Sequence, residues 1–129
     1  VIEDGEDGEN EPLKKAIALI RSTRPAAAIE FHWNGGPPSA TGIEVLCKSA
    51  HKTLAQGIAG AIHAATGLVL RGDRGWKPEN SGQHERLGFC EAGGLIVEVC
   101  FISSKVDMNR YTTTKGHVAA NIAEVLAKV

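Results

Sequence analysis

The stretch LIVEVCFI (residues 95–102) is the most informative part of the chain, because it reads as a buried β-strand that contains one acidic residue. Every position in it except Glu98 is apolar, and such a run is typical of a strand covered on both faces of a sheet. An ionised carboxylate in that environment costs several kcal/mol unless a cation or hydrogen-bond donors compensate for it. We therefore expect Glu98 to have a specific purpose, and function is the leading one.

A second strand, AAIEFHWN (residues 27–34), carries a histidine near its end. His32 is followed closely by the turn-forming cluster Gly-Gly-Pro-Pro at residues 35–38. In parallel α/β sheets, ligands bind beyond the carboxyl ends of the strands. The sequence therefore predicts that His32 and Glu98 face one cleft.

The clearest helical pattern lies between Ser49, a candidate cap, and Gly67, which supplies the expected stop. Its apolar residues recur every four positions, at Leu54, Ile58 and Ile62. A short strand at residues 68–70 then leads into a polar, glycine-rich stretch at residues 71–88, which we expect to be a loop beside a site.

Earlier in the chain, a helix and a strand flank the histidine strand. Asn10 or Glu11 can cap a first helix that has Pro12 in its first turn and ends before Pro25. GIEVLC, at residues 42–47, reads as a further strand.

The end of the chain predicts a short element and a final helix. Ser103 or Ser104 starts a polar turn or short helix that runs through Tyr111, and the last helix begins near Thr114. That helix is expected to bury Val118, Ile122, Val125 and Val129. The alternation predicts an α/β fold, with a mainly parallel sheet flanked by helices in a single layered domain.

The composition fits one globular domain. The chain has 129 residues, 43% of them hydrophobic, and no apolar run approaches the roughly 20 residues needed to span a bilayer. Six of the 15 acidic side chains lie in residues 1–11, an acidic loop, so the remainder carries 14 basic against nine acidic side chains. That excess can attract an anionic polymer or simply keep the protein in solution. Nucleic acid is not expected as a partner, because no basic cluster is interleaved with aromatic residues.

Cysteine and histidine positions narrow the possible chemistry. An odd count of three cysteines, with Cys47 and Cys100 in apolar segments, argues against a disulfide framework. His51 and His63 are on one helix and point about 120° apart, so they cannot share a metal ion. We expect His117 to be solvated.

Common catalytic motifs are missing from the sequence. It contains no GxGxxG after a strand, no GxxxxGK[ST], no GxSxG, no HExxH and no CxxC. These observations argue against nucleotide-binding, serine-hydrolase and zinc-finger chemistry. A strand-end histidine, a buried glutamate and the polar loop between them form the candidate site.

Four segments of the chain are informative as an ordered set: IEFHWNGG (29–36), ATGIEVL (40–46), LVLRG (68–72) and GGLIVEVCFISSKVDMNRY (93–111). In this order and spacing they resemble the zinc-dependent N-acetylmuramoyl-L-alanine amidases of bacterial cell-wall recycling, cell separation and phage lysis. The similarity runs over roughly residues 12–129. The His-x-Asn pattern alone is not specific, whereas the ordered set with its closing helix is.

The resemblance implies roles for individual residues. His32 matches the zinc ligand of the family's Ser-Ile-His-x-Asn strand end, Asn34 the asparagine after it, and Glu98 the catalytic glutamate. Arg71 and His84 are further candidates for contact with substrate, and His84 is also a candidate for contact with metal.

Three positions depart from the family's pattern. Glu30 stands where serine is usual, Cys100 replaces a common glycine, and Gly94 replaces the usual proline. None of these changes removes the chemistry that the resemblance implies.

The implied reaction is hydrolysis of the amide bond between N-acetylmuramic acid and L-alanine in peptidoglycan. In it, a Zn2+ ion with three protein ligands and one open position activates a water, and Glu98 carries the proton to the leaving amine. The resemblance thus implies a zinc cofactor and a peptidoglycan partner. It also implies action at the bacterial cell wall or periplasm, by a protein that is either secreted or phage-encoded and held in the cytosol before release. We expect the protein to be a monomer.

The same resemblance leaves two zinc ligands unaccounted for. The family's other ligands precede the part of the domain that this chain matches, and residues 1–31 contain no histidine. We therefore expect residues 1–129 to be either an N-terminally incomplete catalytic domain or a catalytically silent peptidoglycan-binding or regulatory domain that has lost its metal site. A third reading, a cysteine hydrolase that uses Cys100 and His32, is disfavoured because Cys100 lies in an apolar strand.

Three residues admit two readings each. Glu98 either acts in catalysis or forms a structural ion pair with Arg71 or Arg86. Glu44 alternates within its strand and either pairs with a nearby lysine, the reading that we prefer, or lines the cleft. Trp76 is either a stacking platform for a sugar or a loop tryptophan packed on its neighbours.

Overall fold

The computed structural model describes residues 13–81 and 87–129, and in them a four-stranded sheet lies between two groups of helices. The elements follow one another in the order α1 (Leu13–Thr23), β1 (Ile29–Asn34), β2 (Glu44–Leu46), α2 (Lys52–Thr66), β3 (Trp76–Lys77), α3 (Gly88–Glu91), β4 (Leu95–Phe101) and α4 (Lys105–Leu126). A 3₁₀ turn at Ser49–His51 leads into α2. Within the described ranges, no helix combines the length and the apolar character needed to cross a membrane.

The sheet has the strand order β1-β4-β2-β3, so β4 lies in its interior although it is the last strand in the chain. β1 pairs with β4 and β2 pairs with β3 in parallel, whereas β2 and β4 are antiparallel. The predicted α/β fold is confirmed, with one antiparallel pairing that the sequence did not indicate. All residues of β4 are buried, as its apolar run predicted.

One face of the sheet is covered by α2 and α4. Side chains from β2 and β4 join those of the two helices in the larger core, whose fully buried members include Ile43, Val45, Ile58, Ile62, Leu95 and Val97. The four-residue spacing of α2 therefore faces the core, as predicted. The helix ends at Gly67, whose φ of 69° is left-handed and suits the predicted stop.

The opposite face is only partly covered by helices. There α1 and α3 pack over a smaller apolar cluster of Leu46, Phe89, Cys90 and Ile96. α1 ends before Pro25, as predicted. Its predicted caps, Asn10 or Glu11 with Pro12, lie outside the described residues. The remainder of this face carries polar side chains, and we call it the polar face.

A β-bulge in β4 changes the face to which its last residues point. His32 pairs with Glu98 and Asn34 pairs with Phe101, so β4 holds one more residue than β1 across this interval. Strict alternation would place Cys100 beside Glu98, but Cys100 belongs to the core beneath α2 and α4. Phe101 takes the corresponding place on the polar face.

The C-terminal end differs from the prediction of two separate elements. α4 is one helix of 22 residues, and the side chain of Ser104 caps it by accepting a hydrogen bond from the Asp107 amide. Val118 and Ile122 are buried as predicted, but the prediction for Val129 was wrong, because it lies beyond the helix and is exposed. The polar, threonine-containing middle stays helical because α4 packs along α2, and tertiary packing outweighs local propensity.

The segment between α2 and β4 also differs in detail from its prediction. Residues 68–70 form only an isolated bridge, between Leu70 and Ile43. The stretch predicted as a loop contains β3, which extends the sheet beside β2. Residues 82–86 of that stretch lie outside the described residues.

Candidate active site

Three polar side chains form a row across the sheet. Glu98 of β4 pairs in register with His32 of β1 on one side and with Glu44 of β2 on the other. Residues paired in this way project from the same face of a sheet. The structure thus places His32 and Glu98 side by side and adds Glu44 as a third member of the row.

Glu98 occupies an interior position within this row. It is 9% exposed, and its neighbours along β4, Val97 and Val99, are buried in the apolar core. The Glu98 carboxyl group therefore lies on the inner wall of the polar face, where contact with bulk water is small. A carboxylate in such a place can exchange a proton with a bound reactant rather than with solvent.

His32 lies at the edge of the row and is 42% exposed as a side chain. Its Nε2 atom is 2.9 Å from Oε1 of Glu30. Glu30 and His32 are two positions apart on β1, so both side chains point to the polar face. The glutamate that replaces the family's usual serine therefore contacts the imidazole directly.

Glu44 is held by donors from three separate segments. Its Oε1 accepts a hydrogen bond of 2.9 Å from Nδ2 of Asn34, and its Oε2 lies 2.7 Å from Nε of Arg71 and 2.8 Å from Nζ of Lys77. Burial alone raises the pKa of Glu44, but the bonds to Lys77 and Arg71 outweigh burial and lower the pKa below its ordinary value. Glu44 is therefore ionised at neutral pH, and the predicted lysine pairing is found.

Two predicted substrate contacts, Asn34 and Arg71, are thus fixed on the same carboxylate. The Oδ1 atom of Asn34 also accepts a bond of 2.9 Å from the Gly35 amide, so both ends of its amide group are oriented. Arg71, which had been a possible ion-pair partner of Glu98, lies against Glu44 instead. His84 and Arg86 lie outside the described residues.

Asp107 holds together two segments at the edge of the polar face, a role that we did not predict from the sequence. Its carboxylate is fully buried and accepts hydrogen bonds from the Thr41 hydroxyl, from the Ser104 hydroxyl, and from the amides of Gly42 and Phe101. Burial raises its pKa, but these bonds outweigh burial, and the pKa is lowered. Asp107 thereby ties the loop before β2 to the end of β4. Its only sequence signal was an acidic residue in the first turn of a helix.

The cysteine chemistry considered from the sequence finds no support in the structure. Cys47, Cys90 and Cys100 are buried free thiols. Burial raises the pKa of Cys100 to about 11, and its Sγ contacts the sulfur of Met108 on the face opposite His32. A nucleophilic thiolate is disfavoured there.

The remaining candidates lie away from the row. His63 contacts the Leu68 carbonyl through Nδ1 at 2.6 Å, and His117 is exposed on α4. Trp76 donates from Nε1 to the Cys47 carbonyl at 3.2 Å, and Lys52 lies over its ring, 4.6 Å from the centroid. Trp76 packs against the larger core, so the structure favours the packed reading over the sugar platform.

The described residues do not form a complete zinc site. In residues 13–81 and 87–129, no group of three histidine, cysteine, aspartate or glutamate side chains is placed to hold a metal ion. A catalytic zinc takes three protein ligands. His32 can serve as one ligand, but the other donors that a zinc ion requires are not found around it in this part of the chain.

An α/β sheet that buries a glutamate beside a strand-end histidine places together two groups of the kinds that serve in general acid–base catalysis. The family model described as N-acetylmuramoyl-L-alanine amidase matches residues 1–128, and the chain therefore belongs to that family. The resemblance found in the four sequence segments is confirmed.

Solved structures agree with this assignment. A structure described as an N-acetylmuramoyl-L-alanine amidase from Neisseria meningitidis is 41% identical, has a TM-score of 0.87, and aligns with 97% of this chain and 68% of its own. The catalytic domain of the amidase CwlV from Bacillus (Paenibacillus) polymyxa var. colistinus is 22% identical over 95% of this chain and 67% of its own, with a TM-score of 0.75. The catalytic domain of the CD27L endolysin, which targets Clostridia difficile, is 20% identical over 98% of this chain and 69% of its own, with a TM-score of 0.71. The last two show the shared fold. A search of curated proteins found no match.

Proposed function

We propose that this protein hydrolyses the amide bond between N-acetylmuramic acid and L-alanine in peptidoglycan. The observation that carries the proposal is the buried Glu98, which lies between His32 and Glu44 on the polar face in a member of the amidase family. The site of action that follows is the bacterial cell wall or periplasm.

In the proposed reaction, Glu98 acts first as a general base and then as a general acid. Its carboxylate accepts a proton from the water whose oxygen attacks the amide carbonyl carbon. When the carbon–nitrogen bond breaks, Glu98 returns that proton to the nitrogen of L-alanine, which leaves as an amine. The placement of Glu98 on an inner wall limits competing exchange with solvent.

The products identify this reaction unambiguously. We expect the full-length protein to release peptides with a free L-alanine amino terminus from purified peptidoglycan and to leave an intact glycan strand. Mass spectrometry of the soluble fragments and labelling of new amino termini measure both products. New reducing sugar ends without new L-alanine amino termini would show a glycosidase and contradict the proposal.

We also propose Zn2+ as the cofactor and His32 as one of its ligands, with the remaining ligands outside the described residues. Replacing one of three ligands should weaken metal binding strongly. We expect His32→Ala in the full-length protein to lose zinc during dialysis against a chelator, and His117→Ala, on the exposed side of α4, to retain it. Equal zinc content in the two variants, measured by elemental analysis, would exclude His32 as a ligand.

A catalytically silent wall-binding or regulatory domain is the second candidate function. It is favoured by the incomplete set of metal ligands in residues 13–81 and 87–129. Such a domain would sediment with purified cell walls and release no L-alanine amino termini, even with added zinc. Co-sedimentation and end-group labelling on the same samples separate the two candidates.

A further inference from the structure

We propose that Arg71 and Lys77 form a subsite for a carboxylate group of the stem peptide, beside the glutamate that acts on the scissile bond. This subsite presupposes the proposed amide hydrolysis and specifies what one part of the same groove binds. It consists of two cations that are held in place by one buried carboxylate, Glu44.

The geometry around Glu44 places two positive charges nearer the surface than the carboxylate that they share. Arg71 and Lys77 both contact the same oxygen, Oε2, at 2.7 Å and 2.8 Å. The Glu44 side chain is 6% exposed, whereas those of Arg71 and Lys77 are 35% and 27% exposed. One negative charge thus lies beneath two positive charges whose outer sides reach solvent. An anionic group that approaches this surface meets the cations and not Glu44.

The guanidinium of Arg71 is fixed before any ligand arrives. Its Nε atom contacts Glu44, its Nη1 atom donates to the Thr41 carbonyl at 3.2 Å, and its carbon lies 4.9 Å from the centre of the Phe101 ring. These contacts engage Nε, Nη1 and one face of the group, so Nη2 is the part that they do not use. A planar guanidinium oriented in this way binds a carboxylate with little further loss of side-chain freedom.

The subsite lies close to the reacting bond. Glu44 and Glu98 are paired in register on neighbouring antiparallel strands, where the Cα atoms of such pairs are about 4.5–5.5 Å apart. The leaving peptide begins with L-alanine, and its second residue, a glutamate, can present a free α-carboxylate. That carboxylate is within about 7 Å of the scissile nitrogen, since each extended residue spans about 3.3–3.6 Å. The cations beside Glu44 are therefore within its reach.

The test compares two substrates that differ in one group. The first is the muramoyl tripeptide L-Ala-D-γ-Glu-L-Lys with a free glutamate α-carboxylate, and the second is its isoglutamine counterpart, in which that group is an amide. We expect the full-length protein to cleave the first with a kcat/KM about tenfold higher, in line with a charged hydrogen bond. Arg71→Gln should reduce this preference to less than about twofold, mainly by raising the KM of the carboxylate substrate.

Arg74→Gln is the matched control, because Arg74 lies in the same segment, is largely exposed and pairs with Asp73. It should keep the full preference. If Arg71→Gln does not fold, Lys77→Gln carries the test and should reduce the preference at least about threefold. The subsite is overturned if the wild type shows no preference between the two substrates. It is also overturned if Arg71→Gln and Lys77→Gln lower kcat/KM equally for both substrates, and both cations then have a purely structural role.

A binding experiment separates failure of the subsite from failure of the proposed function. If the protein cleaves neither substrate, the proposed function fails, and calorimetric titration with the free tripeptides tests the subsite alone. We then expect the glutamate tripeptide to bind about tenfold more tightly than the isoglutamine tripeptide, and Arg71→Gln to abolish the difference. Equal affinity of the wild type for the two tripeptides overturns the subsite.

Discussion

The two faces of the sheet use the same strands for opposite purposes. Beneath α2 and α4, β2 and β4 contribute Val45, Leu95 and Val97 to an apolar core in which these side chains are fully buried. On the polar face, the alternate positions of the same strands carry Glu44 and Glu98. Because successive side chains of a strand point to opposite faces, stabilisation and chemistry can occupy neighbouring residues without sharing a surface. Substitutions on the two faces should therefore have separable effects on activity and on stability.

Glu98→Gln should have the largest effect on activity. Removing a group that transfers a proton in the transition state typically costs about 10²–10⁴-fold in rate, whereas the amide has nearly the shape of the carboxylate and should leave the melting temperature near that of the wild type. Dye release from labelled cell walls and thermal unfolding measure the two quantities. Glu124→Gln, on the exposed side of α4, is the control. Activity of Glu98→Gln within a few fold of the wild type would remove the catalytic assignment.

Ile58→Ala tests the apolar face and should lower stability without changing activity. Ile58 is fully buried in the larger core, and truncation of such a side chain to alanine costs about 2–5 kcal/mol in the free energy of unfolding. The rate per folded molecule should stay the same, because Ile58 lies on the far side of the sheet from Glu98. Urea unfolding and cell-wall assays measure the pair of effects, with Ile102→Ala as an exposed control. A specific activity that falls with stability would show that the faces are coupled.

Glu44→Gln should lower the stability of the fold although Glu44 lies on the polar face. Because bonds to Lys77 and Arg71 lower the pKa of Glu44, its ionised form stabilises the fold above the ordinary glutamate pKa of about 4.3. This contribution is lost as the pH falls through the lower folded-state pKa. The variant should be less stable at pH 7 by about 1–3 kcal/mol and should lose less stability on acidification. Urea unfolding midpoints from pH 7 to low pH measure the stability of both proteins. A parallel decline of the midpoint in wild type and variant would contradict the prediction.

Trp76→Phe should have the smallest effect. It removes the hydrogen bond from the indole to the Cys47 carbonyl, which is worth about 0.5–1.5 kcal/mol, and keeps most of the packing. Since Trp76 packs toward the apolar core, the KM for cell walls should not change. A severalfold rise in KM at unchanged stability would restore the sugar-platform reading.

Local sequence patterns were sufficient for the elements that follow a regular period. The spacing of Ile58 and Ile62 and the stop at Gly67 predicted α2, and the apolar run predicted β4. The same reasoning failed for α4, whose polar middle has weak local preference for helix and is kept helical by packing on α2. The isolated bridge at Leu70 fell short of a strand for a similar reason, because a bridge depends on the partner strand and not only on local sequence.

The candidate site was predictable only where a residue broke a pattern. Glu98 stood out because it interrupts an apolar run, and His32 because it ends a strand before a turn. Asp107 gave no such signal, because an acidic residue near the start of a helix is ordinary. Its four hydrogen-bond donors come from β4, the α4 cap and the loop before β2, and only the folded chain brings them together.

Local sequence was enough to predict the α/β class, the burial of β4 and the position of Glu98 within it, because these depend on the period of apolar residues along a single segment. The tertiary structure places β4 between β1 and β2, so that Glu98 has His32 on one side and the ionised Glu44 on the other. It also contains the bulge that turns Cys100 into the core and brings Phe101 beneath Arg71. The physical reason is that strand order and register arise from hydrogen bonds and packing between segments far apart in the chain, and no local propensity encodes them.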